Sequence, residues 1–206
     1  MTKIKICGLS RKCDIEYANL LNIDYIGFVF VKESKRYIYP DDAIKLRKKL
    51  REGIIPVGVF SDASIDYIVG LLRYKIIEAV QLHGNESEEY IDNLRKKVNC
   101  TIIKAFSINS STDIETAKKS TADYILLDSG GGTGKEFNWD LIKNITRPYF
   151  LAGGISSDNV NNAINKLHPF AVDASTSLET DGYKDFSKMT AFVNTVNNNT
   201  FTERTD

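Results

Sequence analysis

Eight short runs dominated by Ile, Val, Leu, Phe and Tyr recur along the chain, at residues 3–7, 25–30, 55–60, 79–82, 101–106, 124–128, 149–152 and 170–173. Each has strand length. Most are too continuously apolar to form one face of a solvated sheet, so they read as strands covered on both sides. Segments of helical period separate them. Asp41 stands where it could cap a helix that turns Ile44 and Leu50 inward, while Lys45, Arg47, Lys48 and Lys49 face water. Ser64 precedes Ile65, Ile68, Val69 and Leu72, and Thr112 with Glu115 has capping-box spacing. Ser157 precedes Val160, Ile164 and Leu167, and Phe186, Met189, Phe192, Val193 and Val196 form a last stripe. The helix after Asn138 is short and weakly specified.

Strand and helix alternate through eight units of βαβ size, which predicts a parallel sheet. Eight such units close into a single (β/α)8 barrel, an α/β fold with the helices outside. An open doubly wound sheet is the competing architecture, but no strand–GxGxxG–helix signature supports it. One barrel domain is expected over residues 1–197, and the polar, Thr- and Asn-rich residues 198–206 read as a frayed tail.

Composition narrows the function classes. The 206 residues are 42% hydrophobic and carry 27 basic against 27 acidic side chains. A balanced charge gives no electrostatic footprint for nucleic acid or for a membrane surface. No run approaches the length of a membrane span, and residues 1–8 carry lysines inside their apolar stretch, unlike a secretory leader. Three cysteines without a CxxC pair argue against a disulfide framework and for a reducing, cytoplasmic setting. A monomer is the default expectation and a homodimer the other state.

In a barrel of this class the active site lies at the C-terminal ends of the strands. The polar residues predicted there are Cys7, Arg36, Gln81, His83, Asp128, the Gly153-Gly154 pair, and Asp173 followed by Ala174, Ser175, Thr176 and Ser177. Any one of them alone could be a loop residue without a role, but their shared address on one rim singles out the set. Gly153-Gly154 lets backbone approach an anion closely, and barrels often bind phosphate in the loops after strands seven and eight. Ser175, Thr176 and Ser177 add hydroxyls there. The stretch Gly130 to Lys135 fails the Walker pattern, because Ser129 and Glu136 occupy two of its required positions. It reads as a mobile active-site loop or as a plain linker.

Cys7 has three readings: a buried structural thiol, a metal ligand, or a reactive thiolate. Metal fits poorly, since only two His are present and His168 falls on the opposite rim. At its reference pKa of about 8.5 a thiol is only a few per cent ionised at pH 7. Side-chain alternation places Lys5 on the Cys7 face, about 7 Å below it, where its charge would help keep a thiolate accessible.

Lys5-Ile6-Cys7-Gly8, Gly27-Phe28-Val29-Phe30, Ser34-Lys35-Arg36-Tyr37, Val57-Gly58-Val59-Phe60 and Val80-Gln81-Leu82-His83-Gly84 resemble the phosphoribosylanthranilate isomerase family. So do Ile103-Lys104-Ala105-Phe106, Leu126-Leu127-Asp128-Ser129, Gly131 to Gly134 leading to Asn138-Trp139, Leu151-Ala152-Gly153-Gly154-Ile155, and Asp173 to Glu179. The resemblance runs from about residue 3 to residue 196. It implies a (β/α)8 barrel of tryptophan biosynthesis that converts N-(5-phosphoribosyl)anthranilate to 1-(2-carboxyphenylamino)-1-deoxyribulose 5-phosphate, without metal or organic cofactor. It further implies Cys7 as general base, Asp128 as general acid and Arg36 as the partner of the anthranilate carboxylate. Gln81, His83 and Asp173 would be substrate-binding, and Gly153, Gly154, Ser175, Thr176 and Ser177 would bind phosphate. Two readings remain beside it: another phosphosugar barrel enzyme, and a catalytically silent barrel that binds a phosphorylated metabolite.

The sequence departs from the family twice. Ser177 stands where the family usually has Gly, which brings either strain, if the loop needs a positive φ, or an added phosphate donor. The segment between Asp128 and Gly131 is short, so its loop would cover the site differently.

Overall fold

The computed structural model describes residues 1–128, 139–142 and 145–202. Eight parallel strands, β1 (Lys3–Cys7), β2 (Tyr25–Val29), β3 (Ile55–Phe60), β4 (Ala79–Leu82), β5 (Thr101–Ser107), β6 (Tyr124–Asp128), β7 (Tyr149–Leu151) and β8 (Ala171–Ala174), close into a barrel in sequence order. Closure is made where β1 pairs with β8, in the register Lys5 to Asp173. Helices α1 (Lys12–Leu20), α2 (Pro40–Arg47), α3 (Ile65–Arg73), α4 (Glu88–Arg95), α5 (Ser111–Lys118), α6 (Val160–Leu167) and α7 (Phe186–Thr202) surround it. A single 3-10 turn, Trp139–Ile142, is the described helical element between β6 and β7. The predicted (β/α)8 barrel is therefore the observed fold.

Alternation along the strands sorts side chains into two cores. Ile4, Ile6, Ile26, Phe28, Val80, Leu82, Ile102, Ile125, Leu127, Leu151 and Val172 face outward and pack with the helices. Val57, Ala79, Ile103, Leu126, Phe150 and Ala171 face inward with Tyr25, Tyr124 and Phe170, filling the lower barrel. Interior packing thus leaves only the upper rim for polar chemistry.

Local signals set most helix starts. The Ser64 hydroxyl accepts the Tyr67 N–H to open α3, as its position predicts, and Ser87 does the same for Tyr90 in α4. Three expected caps differ. The α2 start lies at Tyr39, because Pro40 takes the first helical position, where its fixed φ fits and no N–H is needed. Ala43 and Leu46 are that helix's buried positions, and Ile44 is half-buried. The α5 capping box is Ser110 with Asp113, two residues before the Thr112–Glu115 pair of equal spacing. Asn159, not Ser157, precedes α6. The segment expected to fray from 198 is helical through Thr202: α7 continues, and buried Asn199 donates its amide to the Asn161 carbonyl at 3.4 Å. Residues 203–206 and the stretch 129–138, including the glycine-rich loop, lie outside the described residues.

Candidate active site

The C-terminal ends of the strands surround a cavity of about 490 Å³, within the usual range for small-molecule sites. Cys7, Arg36, Gln81, His83, Asp128, Gly153, Gly154, Asp173, Ser175, Thr176 and Ser177 all line it, so every residue singled out on the rim reaches one place. The same alternation that fills the lower barrel accounts for this. Continuing the inward face upward replaces Leu126 by Asp128, Ala79 by Gln81 and Ala171 by Asp173.

Cys7 ends β1 opposite Gly27. A Cβ at Gly27 would stand 2.6 Å from the Cys7 sulfur, so that position must be Gly for the thiol to occupy it. Gly8, at φ +83°, likewise gives up its side chain to let Arg36 cross, since a Cβ there would lie 2.3 Å from the Arg36 Cδ. Lys5 is fully buried below Cys7, as expected, but its Nζ donates to Asp173 Oδ2 at 2.7 Å. Burial works against the Lys5 charge, and the neighbouring Asp173 and Cys7 outweigh it and hold the lysine protonated. At Cys7, burial pushes the thiol up from its ordinary value, with Lys5 pulling the other way, Asp173 adding to the rise and Lys184 opposing it. Lys5 acts in the expected sense, favouring the thiolate, while desolvation outweighs it and the resting group is the thiol.

Gln81 is buried, and its Nε2 lies 3.0 Å from His83 Nδ1. With the amide donating, the ring carries its proton on Nε2, which faces Asp128 Oδ2 at 3.7 Å. Desolvation lowers the His83 pKa against the pull of Asp128 and keeps the ring neutral at pH 7. Two buried acceptors in this wall, Gln81 Oε1 and Asp173 Oδ1, have no hydrogen-bond partner among the described residues. Such orphans are costly unless a ligand or water meets them.

Arg36 is already engaged. Its Nε and Nη2 donate to Glu179 Oε1 and Oε2 at 2.5 and 2.9 Å, and Nη2 also donates to Thr176 Oγ1 at 2.9 Å. Glu179 and Lys184 come from a two-stranded ribbon after β8, β9 (Glu179–Thr180) paired with β10 (Tyr183–Lys184). Lys184 Nζ donates to Glu179 Oε1 at 2.6 Å. Burial opposes the Glu179 charge, but the hydrogen bonds from Arg36 and Lys184 overcome it and hold the carboxyl below its ordinary range. Lys184 is not legible in the sequence, because nothing near it marks a charge that is buried only through tertiary pairing.

The anion loops also differ in detail. Gly153 and Gly154 adopt φ of +76° and +71°, conformations that present bare backbone to the cavity. Asn159 braces this turn by donating to the Gly154 carbonyl at 2.8 Å. The expected hydroxyl donors are spent elsewhere: Ser175 Oγ donates to the Cys7 carbonyl at 2.9 Å, and Ser177 Oγ donates to the Ile155 carbonyl at 2.5 Å. Thr176 accepts from Arg36. Ser177 lies in a 3-10 turn, Thr176–Leu178, and is not among the described residues with positive φ, so neither strain nor a free donor explains it. Its hydroxyl joins the β7 loop to the β8 loop. Among the described residues no group of three or more His, Cys, Asp or Glu side chains could hold a metal ion.

Fold and site together define a (β/α)8-barrel enzyme whose titratable groups stand at the C-terminal mouth. A family model described as N-(5'phosphoribosyl)anthranilate (PRA) isomerase matches residues 4–195, and the chain belongs to that family, the isomerases of this step in tryptophan biosynthesis. It is 42% identical over 203 residues to the N-(5'-phosphoribosyl)anthranilate isomerase of Thermoanaerobacter sp. (strain X514), covering 95% of this chain and 98% of the relative. The Thermotoga maritima phosphoribosyl anthranilate isomerase structure superposes with a TM-score of 0.87 at 34% identity, covering 96% of this chain and 100% of that one. A family structure in complex with reduced 1-(o-carboxyphenylamino)-1-deoxyribulose 5-phosphate is similar at a TM-score of 0.85 and 32% identity, covering 96% and 100%.

Proposed function

We propose that Cys7 is the general base and Asp128 the general acid of the isomerisation, acting on a phosphorylated amino-sugar held between them. The reaction is the Amadori rearrangement of N-(5-phosphoribosyl)anthranilate to 1-(2-carboxyphenylamino)-1-deoxyribulose 5-phosphate. Asp128 gives its proton to the furanose ring oxygen as the C1–O bond breaks, and the anilino nitrogen supplies the electron pair that makes the iminium. The Cys7 thiolate takes the C2 proton, and the electrons of that bond form the C1=C2 enolamine. Protonation at C1 and loss of the enol proton give the ketose.

The single observation that carries this reading is that Cys7 and Asp128, from strands well apart in the barrel, line one cavity that also contains the orphaned acceptors Gln81 Oε1 and Asp173 Oδ1. Those two oxygens suit the hydroxyl donors of a ribose, and neutral His83 stands beside the acid. The phosphate is assigned to the backbone N–H groups of Gly153-Gly154 and of residues 175–177, the serine hydroxyls being committed to carbonyls. With its Nε and Nη2 turned to Glu179, Arg36 meets the anthranilate carboxylate through Nη1.

The reading extends to a monomer in the cytoplasm. No helix among the described residues is long and apolar enough to cross a membrane, and the four most exposed large apolar residues, Met1, Leu20, Tyr39 and Tyr74, sit on separate segments. The test is loss of substrate fluorescence on adding purified protein, with the phosphoribosylated anthranilate generated in place. Decay to the ketose is expected. Tight binding without decay would favour a silent binding barrel.

A further inference from the structure

Arg36 is the cation assigned above to the substrate carboxylate, yet its best fork already grips a carboxylate of the protein itself. Glu179 is 8% exposed and lies in bidentate contact with Arg36. Alone, that pair would be close to neutral, and an arriving anion would meet a guanidinium whose charge is cancelled and a carboxylate that repels it. The second cation changes the balance. Lys184, 4% exposed, donates to the same Glu179 Oε1 that receives the Arg36 Nε, and the remaining contacts of its Nζ are neutral oxygens, the Ser175 carbonyl at 3.1 Å and the Ser175 hydroxyl at 3.3 Å. One carboxylate is thus shared by two cations, buried Lys184 and half-buried Arg36, which leaves the cluster with an excess positive charge whose cavity-lining member is Arg36. Lys35, 3.9 Å from Glu179, is largely exposed and screened, so it contributes little.

We propose that Lys184 is a positioning residue for substrate recognition: by sharing Glu179, it keeps Arg36 oriented yet electrostatically available to the substrate carboxylate. It touches no reacting atom. The same ammonium is tied to Ser175, whose hydroxyl donates to the Cys7 carbonyl, so one side chain joins the carboxylate clamp to the strand end that carries the base. The ribbon β9–β10 is therefore part of the site, although neither strand belongs to the barrel.

The inference rests on the assignment of Arg36 to the carboxylate, and the test separates the two. Binding of the stable reduced product analogue, 1-(o-carboxyphenylamino)-1-deoxyribulose 5-phosphate reduced at the ketone, is measured beside its counterpart lacking the ring carboxyl, together with KM and kcat. Lys184→Met is expected to weaken the carboxylated ligand and raise KM at least tenfold, measured at alkaline pH where loss of its pull on the Cys7 thiol matters least, with the decarboxylated ligand unaffected. Lys184→Arg should restore most of the affinity. The double variant Lys184→Met/Glu179→Gln, which removes one cation and one anion together, should bind the carboxylated ligand better than Lys184→Met alone. That recovery is the result a merely structural lysine would not give. Equal losses for both ligands, or a double variant no better than the single one, would overturn the proposal. If Arg36→Met leaves carboxylate discrimination intact, the clamp itself is misassigned. If Arg36→Met abolishes discrimination and Lys184→Met does not, only the role of Lys184 falls.

Discussion

The lower and upper halves of the barrel interior lie on the same inward face of the same strands and are built from opposite materials. Below, Phe150 is fully buried, with its ring centroid 5.5 Å from that of Tyr25, 5.6 Å from Tyr124 and 5.6 Å from Phe170, all in tilted or edge contacts that favour aromatic packing. Above, one step of two residues along each strand brings Lys5 and Asp173 into a buried ion pair, with Cys7, Gln81 and Asp128 around it. The lower half needs only volume and is satisfied when filled. The upper half holds charges and orphaned acceptors that cost stability, which the apolar floor and the outer core must offset. Function and stability are thus stacked along one axis, and substitutions in the two halves should fail in different ways.

The largest separation is expected at the acid and the base. Asp128→Asn and Cys7→Ser should each lower kcat by about 10²–10⁴-fold, the usual loss of a general acid or base, while thermal melting stays near wild type. Near-normal turnover in either would break the comparison. Phe150→Ala is its mirror image: it should cost about 3–5 kcal/mol of folding stability, read by denaturant unfolding, while kcat per folded molecule stays near that of the wild type.

Between these extremes lies the pH behaviour of the thiol. Because burial raises the Cys7 pKa and the base must be ionised, kcat/KM should climb as pH rises above neutrality. Lys5→Met removes a cation that favours the thiolate and leaves Asp173, which disfavours it. The alkaline limb and the Cys7 alkylation profile should therefore both move to higher pH; an unmoved profile would mean that Lys5 serves packing alone. The smallest effect is expected at Ser177→Gly. Losing its bond to Ile155 should loosen the two phosphate loops by about 1 kcal/mol, a KM increase of about fivefold with kcat unchanged.

The fold was legible because its signal is periodic. Runs 3–7, 55–60, 79–82 and 124–128 are the observed strands, three others differ by one residue at one end, and 170–173 is shifted by one residue. Helices α1 and α4 were not legible: each buries two apolar side chains, Ile15 and Ala18 in one and Ile91 and Leu94 in the other, and the equally sparse α2 and α5 were marked only by their candidate cap residues. Caps were less readable because Ser–x–x–Asp and Thr–x–x–Glu spacings overlap between residues 110 and 115, and only the backbone decides which closes. At the site, strand-end position sufficed to gather the rim residues in one cavity. Their partners were not legible: Arg36 and Glu179 are 143 residues apart, and Ser175 reaches Cys7 across 168. Contacts that close a barrel leave no local pattern.

The position of the sugar between the thiol and the carboxyl tests the acid–base assignment most directly. A crystal structure of the protein with the reduced product analogue bound should place the Cys7 sulfur about 3–3.5 Å from C2 and an Asp128 oxygen about 2.6–3.2 Å from the oxygen on C4. An ordered ligand with either group beyond reach of its atom would contradict it.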